Sequence, residues 1–204
     1  MTHKDEFLSR ILPEKKDGVI SSVVILPDDM EFETQNLNEK VYILLRRHFF
    51  TNFGWIVSSV FMLAIPAIVF LILSFFNIDI YVNFNLKHSY VFVSLFLWNL
   101  FIFTNAFMHF LDWYFNIYFI TNERIIDFDF SPFGYHKISE AGLDCIVDAT
   151  EESIGFLPMI FNYGDIYIQT SGEKREFDFD SVPKPAWVRD KIMDLRDMFF
   201  KKPK

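Results

Sequence analysis

The chain has 204 residues, of which 51% are hydrophobic, 19% are aromatic and 23% are charged, and Phe alone occurs 27 times. This apolar content excludes intrinsic disorder, and a single cysteine, Cys145, excludes an internal disulfide framework and a multi-cysteine zinc site. The formal net charge of −8 argues against nucleic-acid binding, because neutralising phosphates requires clustered Lys and Arg. The composition therefore predicts a small membrane protein with a soluble part.

The first 53 residues divide into two predicted segments. Residues 1–38 are a polar, acidic segment to which no fold is assigned, for which flexibility is one interpretation, and which holds a β-like run over residues 19–26. Residues 39–53 predict an amphipathic juxtamembrane helix, because Val41, Leu44 and Leu45 fall at positions i, i+3 and i+4. Basic residues at the end of this helix would lie at the headgroup level, either as topological anchors or in contact with anionic lipid.

Two long apolar runs follow. Residues 54–78 contain no Asp, Glu, Lys, Arg or His, and residues 89–108 repeat that pattern, with only His109 interrupting before Asp112. A helix needs about 20 apolar residues to cross the hydrocarbon core of a bilayer. The polar connector between the runs is short, so a pair of soluble core helices is the weaker interpretation. We predict transmembrane helices over 54–78 and 89–111.

The residues flanking these runs predict an orientation. Three basic residues lie shortly before the first run, whereas the connector offers only Lys87, so the positive-inside bias places both termini in the cytoplasm of a two-pass protein of the cytoplasmic membrane. Aromatic residues at the same ends would lie in an interfacial belt. The predicted membrane-flanking residues are Arg46, Arg47, Trp55, Trp113 and Tyr114.

The second run contains two polar side chains at helical spacing, Asn105 and His109. Polar residues within a membrane usually face protein or water, so both are candidate interaction residues. A haem or proton-relay site would need a second ligand or a carboxylate in the bilayer, and the chain offers none there. Packing between helices, or a hydrogen bond from His109 to Ser58 or Ser59, is the favoured interpretation.

From residue 113 onwards the pattern changes to that of short strands. Ile126, Phe128 and Phe130 alternate with acidic residues, as in a strand with one wet face, and turn signals recur every 8–12 residues. A final amphipathic helix follows Pro183. Its predicted apolar stripe is Val188, Ile192, Leu195 and Phe199.

One apolar segment between strands stands out, because Pro158 blocks regular pairing within it. Two interpretations remain open: a buried core segment at the mouth of a barrel, or an exposed loop that contacts a partner or the membrane. Its candidate interaction residues are Phe156, Leu157, Met159, Ile160 and Phe161.

Four features occur together in this chain: residues 44–48, the two-helix hairpin followed by residues 118–126, residues 162–168 with Thr170 and Gly172, and Val182-Pro183 before the last helix. With these features the chain resembles the bacterial membrane-anchored pleckstrin-homology-like (PH-like) family. The resemblance implies an α+β membrane protein, in which a transmembrane hairpin precedes a cytoplasmic split β-barrel over residues 113–204. That barrel would have about seven antiparallel strands and a capping C-terminal helix, with no established enzymatic chemistry.

The distribution of charge along the chain indicates which ligands the β-domain would bind poorly. Residues 124–180 carry 4 basic and 12 acidic side chains, which argues against recognition of phosphoinositide-type lipids, whereas residues 183–204 carry 7 basic and 3 acidic ones. No motif predicts catalytic residues, a cofactor or a metal site. We therefore expect a non-enzymatic adaptor or scaffold that contacts the bilayer and binds another protein or itself. The alternative is a membrane subunit of a transport or envelope-biogenesis complex, in which the hairpin binds another membrane protein.

Overall fold

The computed structural model describes residues 12, 22–26, 32, 34–77, 87–132, 134–171 and 176–200. The chain divides into two compact units. One comprises Met1–Thr51 together with Trp113–Lys204, and the other comprises Asn52–Asp112. The segment that forms the second unit is therefore inserted into the sequence of the first.

The inserted unit consists of two helices, α1 (Phe53–Phe75) and α2 (His88–Phe115), and the last residues of α2 extend into the first unit. Both are long and apolar enough to cross a membrane, and no residue of α1 is buried. They correspond to the predicted helices over 54–78 and 89–111. Residue 78 and most of the predicted connector lie outside the described residues.

A proline in α1 creates a polar contact between the helices. Pro66 has no N–H with which to bond the carbonyl oxygen of Met62, four residues earlier. The indole Nε1 of Trp98 in α2 donates a hydrogen bond to that oxygen at 3.0 Å. The carbonyl group that Pro66 leaves without a helical partner is therefore satisfied by the neighbouring helix.

The other unit contains two antiparallel sheets and two further helices. The five-stranded sheet has the order β1-β2-β3-β4-β5, and the three-stranded sheet has the order β6-β7-β8. The strands are β1 (Val23–Ile25), β2 (Val41–Arg46), β3 (Ile117–Thr121), β4 (Arg124–Ser131), β5 (Tyr135–Gly142), β6 (Ile146–Glu152), β7 (Tyr163–Thr170) and β8 (Glu176–Pro183). The helices are α3 (Phe156–Phe161), between β6 and β7, and α4 (Pro185–Phe200), at the end of the described chain.

The predicted juxtamembrane helix over 39–53 is wrong, because Val41–Arg46 is the strand β2 and residues 49–52 form a 3₁₀ turn. β2 lies between β1 and β3, and all six of its residues are buried. A strand covered on both faces is apolar without alternation, so its short apolar run cannot be told from part of a helix by spacing alone.

The predicted boundary of the β-domain at residue 113 is also wrong, since β1 and β2 precede the helical hairpin. β2 and β3 are hydrogen-bonded neighbours, and Arg46 near the end of β2 is opposite Ile117 at the start of β3. The hairpin therefore occupies the position of the connection between two adjacent antiparallel strands.

The described residues among 1–38 are not a separate polar segment, since they take part in the same unit. Leu12 and Ile25 lie in the main core, and β1 pairs with β2. The ring of Phe32 stacks on Phe119, with centroids 5.5 Å apart, on the outer face of the five-stranded sheet. Apolar residues scattered along a polar sequence thus complete both faces of the sheet.

Buried side chains of both sheets and of α4 form one core, in which Ile43, Ile120, Ile166 and Phe179 are fully buried. The predicted stripe of the last helix is confirmed: Val188, Ile192 and Leu195 are buried in this core, and Phe199 packs against it while partly exposed.

Candidate functional site

The two points where the chain enters and leaves the helical hairpin are joined within the β-sheet unit. The indole Nε1 of Trp113 donates a hydrogen bond to the carbonyl oxygen of Arg47 at 2.8 Å, and Phe49 packs edge-on against the Trp113 ring. Trp113 is only 4% exposed. The ring is therefore shielded and bonded to the segment before the hairpin, and its place in an interfacial aromatic belt stays a prediction.

The basic residues predicted at the headgroup level are engaged within the same unit. Arg46 is buried, and its guanidinium carbon lies 4.7 Å from the ring centroid of Tyr114. Arg47 forms an ion pair with Asp180 at 3.2 Å. Trp55 belongs to the helical unit, where its Nε1 donates to the side-chain oxygen of Asn52.

The candidate interaction segment between β6 and β7 is a short helix on the surface. We call the side chains of Ile154, Phe156, Leu157, Met159, Ile160 and Phe161 the α3 surface. None of them is buried, and Phe156 and Met159 are 77% and 73% exposed. The segment is therefore exposed rather than buried, as a short helix rather than a loop, and its contact with a partner or the membrane stays a prediction.

The backbone fixes where α3 begins and ends. Gly155 precedes the helix with φ of +108°, a conformation that a residue with a Cβ rarely adopts. Asn162 follows it in the left-handed conformation, with its N–H bonded to the carbonyl oxygen of Pro158. The turn into the helix and the turn out of it are therefore set by the residue types at its two ends.

Two pairs of stacked rings join α3 and the start of β7 to the segment that leads into the hairpin. The ring of Phe50 stacks on Phe161 with centroids 3.6 Å apart, and His48 stacks on Tyr163 at 5.0 Å. The Nδ1 of His48 also accepts a hydrogen bond from the backbone N–H of Phe50 at 3.2 Å. Burial lowers the pKa of His48, which favours the neutral ring that this bond requires.

The polar residues of the apolar helices have neighbours within their own unit. His109 is exposed, and its ring stacks on Trp55 with centroids 6.0 Å apart, while Asn105 is half-buried. No hydrogen bond joins His109 to Ser58 or Ser59, and both serine hydroxyls donate to the carbonyl oxygen of Trp55.

An acidic cavity of about 910 Å³ opens on the inner side of the five-stranded sheet. Ile125 lies in the main core, and Asp127, two residues further along β4, lines the cavity and is 9% exposed. One carboxylate oxygen of Asp127 has no hydrogen-bond partner among the described residues. Burial, with the negative charge of Asp129 next in importance, raises the pKa of Asp127 to about 7.

The solvent-facing side predicted for β4 therefore lies partly on the inner face of the sheet, where it borders the cavity. Ile126 and Phe128 pack with Phe32 on the outer face. The lining of the cavity has five acidic side chains and one lysine: Asp127, Asp129, Glu140, Asp178, Asp180 and Lys137. Such a lining repels anionic groups. Within the described residues, no three His, Cys, Asp or Glu side chains are grouped as metal ligands.

Sequence reasoning missed His48, Phe50 and Asp127. The pattern over 39–53 predicts a helix that includes both rings, and their stacking partners lie more than 110 residues away in the sequence. The alternation in β4 predicts that Asp127 faces solvent. Neither error could be corrected from local spacing, because both depend on which segments pack together.

No protein-family model matches the chain, and no curated protein matches its sequence. Among solved structures, the chain is similar to the crystal structure of a DUF1696 family protein with a pleckstrin-homology domain from Shewanella loihica PV-4. The match covers 40% of this chain and 70% of that one, at 19% identity and a TM-score of 0.31.

Proposed function

We propose that this protein is a non-enzymatic adaptor of the cytoplasmic membrane. In this proposal α1 and α2 cross the bilayer, both termini are cytoplasmic, and the two sheets with α4 form a PH-like split barrel. Four strands of the larger sheet (β2 to β5), the three strands β6 to β8 and a C-terminal helix support the PH-like assignment. The barrel binds another protein or a second copy of itself.

The insertion of the hairpin between paired strands carries this proposal. The chain leaves the β-sheet unit after β2 and returns at β3, and Trp113 is bonded to Arg47 where the two passages meet. A domain attached through both passages, with almost no linker, is held beside the bilayer. Confinement of this kind raises the effective concentration of a membrane-bound partner without any additional contact.

Photo-crosslinking in intact cells tests the adaptor function. A benzophenone amino acid is placed at Lys137 or Asp190, which are exposed positions of the β-sheet unit, and at Asn105 in α2. The adaptor predicts crosslinks to a polypeptide from position 137 or 190, and only self-crosslinks or none from position 105. Absence of any crosslinked polypeptide from both domain positions would contradict it.

The alternative, a membrane subunit whose hairpin binds another membrane protein, is favoured by the exposure of His109 on α2. A polar ring that faces hydrocarbon is costly, so a neighbouring helix from another chain would stabilise it. Capture of a distinct membrane protein from position 105, without crosslinks from 137 or 190, would support this alternative.

A further inference from the structure

The α3 surface has a composition that suits lipid better than a protein partner. Residues 154–161 include no side chain that can donate a hydrogen bond or carry a charge. Protein interfaces usually surround their apolar contacts with a polar rim of hydrogen-bonding side chains, which this segment lacks. An all-hydrocarbon and thioether surface matches the boundary between headgroups and acyl chains, where no polar partner is required.

The place of α3 in the β-sheet unit also favours lipid over a protein partner. Phe161 stacks on Phe50, and Phe50 lies three residues before the start of the apolar helix α1. The ring contact is supported by the neighbouring pair of His48 and Tyr163. The α3 surface is therefore fixed to the segment from which the chain enters its apolar hairpin.

The length of α3 limits how it contacts a bilayer. Six residues of helix span about 9 Å, far less than the hydrocarbon thickness, so α3 cannot cross. The preceding residues Glu151 and Glu152 are acidic, which favours zwitterionic over anionic lipid.

We propose that the α3 surface inserts into the lipid–water interface of the bilayer that the hairpin crosses, as a third, non-spanning membrane contact. This inference rests on the proposed function, because it requires the hairpin to be in the membrane. The contact fixes the orientation of the barrel as well as its distance from the bilayer.

Depth measurement by electron paramagnetic resonance tests this contact in the full-length protein. Cys145 is replaced by Ala, and a nitroxide is attached to a new cysteine at Phe156 or Met159, whose exposure means that little packing is lost. The protein is placed, one copy per disc, in phosphatidylcholine nanodiscs. Relaxation by oxygen, which concentrates in lipid, is compared with relaxation by a water-soluble nickel chelate.

Two control positions make the result specific. Val147 is an exposed apolar residue of β6, and a label there should be relaxed more by the nickel chelate than by oxygen. A label at Ile68 in α1 reports on the hairpin itself and should be relaxed mainly by oxygen. At positions 156 and 159 we expect the oxygen effect to exceed the nickel effect several-fold.

Nickel accessibility at positions 156 and 159 equal to that at Val147, or shielding from both reagents, would overturn the proposed contact. If the Ile68 label behaved in the expected way, only the α3 contact would fail. If the Ile68 label also preferred nickel, the membrane crossing would fail, and the α3 contact with it.

Discussion

The ring of Phe50 stacks on the ring of Phe161 with centroids 3.6 Å apart, although the two residues are separated by 111 positions in the sequence. The contact joins the segment that leads into the helical hairpin to the end of α3. It therefore connects the entry to the proposed transmembrane hairpin with the helix that we propose to contact the membrane surface. The orientation proposed for α3 depends on this pair.

Replacing Phe50 with Ala should lower the free energy of unfolding by about 2 kcal/mol, because apolar burial and a ring contact are lost together. Phe50→Tyr, which keeps the ring, should change it little. A double-mutant cycle with Phe161→Ala should give a coupling energy of about 1 kcal/mol, measured by denaturant unfolding in detergent micelles. Additive effects of the two substitutions would show that the stacked geometry contributes nothing.

The raised pKa of Asp127 predicts an unusual dependence of stability on pH. Its pKa is about 7 in the folded protein and about 3.8 when unfolded, so between these values the folded state binds more protons than the unfolded state. The contribution of Asp127 to stability therefore falls as the pH rises from about 4 to about 7 and is constant above that range. The charges that act on Asp127 come from Asp129, Lys137, Asp180 and Arg47.

Asp127→Asn removes the ionisation and should stabilise the protein at pH 8 by about 2 kcal/mol, with little effect near pH 4. The measurement is denaturant unfolding at the two pH values. Asp178→Asn is the matched control, since that residue also lines the cavity but is exposed. An equal stabilisation by both variants would indicate general charge repulsion rather than burial of Asp127.

Glu39 holds the segment before β2 onto the sheet. Its carboxylate is buried, accepts hydrogen bonds from Arg124 at 2.9 and 3.0 Å, and accepts one from Thr121 at 2.8 Å. Glu39→Ala leaves a largely buried guanidinium without this partner and should cost about 3 kcal/mol in unfolding free energy. Glu140→Ala, which removes a more exposed partner of Arg124, should cost less than 1 kcal/mol. Equal costs would contradict the importance given to burial.

Trp98 should stabilise the helical hairpin through the carbonyl group left free by Pro66. Trp98→Phe keeps an aromatic ring but removes the donor to Met62, and an unsatisfied carbonyl in hydrocarbon is costly. We expect a loss of about 1–2 kcal/mol, measured by steric trapping in bilayers. In a Pro66→Ala background, where the helix can bond its own carbonyl, the same substitution should have a much smaller effect. An undiminished loss there would assign the effect to ring packing alone.

The parts of the fold with a clear local period could be predicted from the sequence. The apolar helices follow from the length of their runs, and α4 follows from the spacing of Val188, Ile192 and Leu195. β2 could not be assigned in this way, because a strand buried on both faces loses the alternation that marks a strand. Its true partner, β3, lies beyond the whole hairpin.

Of the candidate site, too, only the part with a local sequence pattern could be predicted. The α3 surface could be found because a contiguous apolar segment next to a proline is visible in the sequence. Its attachment to Phe50, and the burial of Asp127, arise from packing between distant segments. Spacing alone does not show such contacts.

Accessibility of single cysteines in intact cells tests the central claim most directly. In a Cys145→Ala background, a cysteine at Asn85, in the predicted connector outside the described residues, is compared with one at the exposed residue Asp190 on α4. A membrane-impermeant maleimide added outside the cells should label position 85, and it should label position 190 only after the cytoplasmic membrane is permeabilised. Labelling of position 190 in intact cells would contradict a two-pass anchor with a cytoplasmic domain.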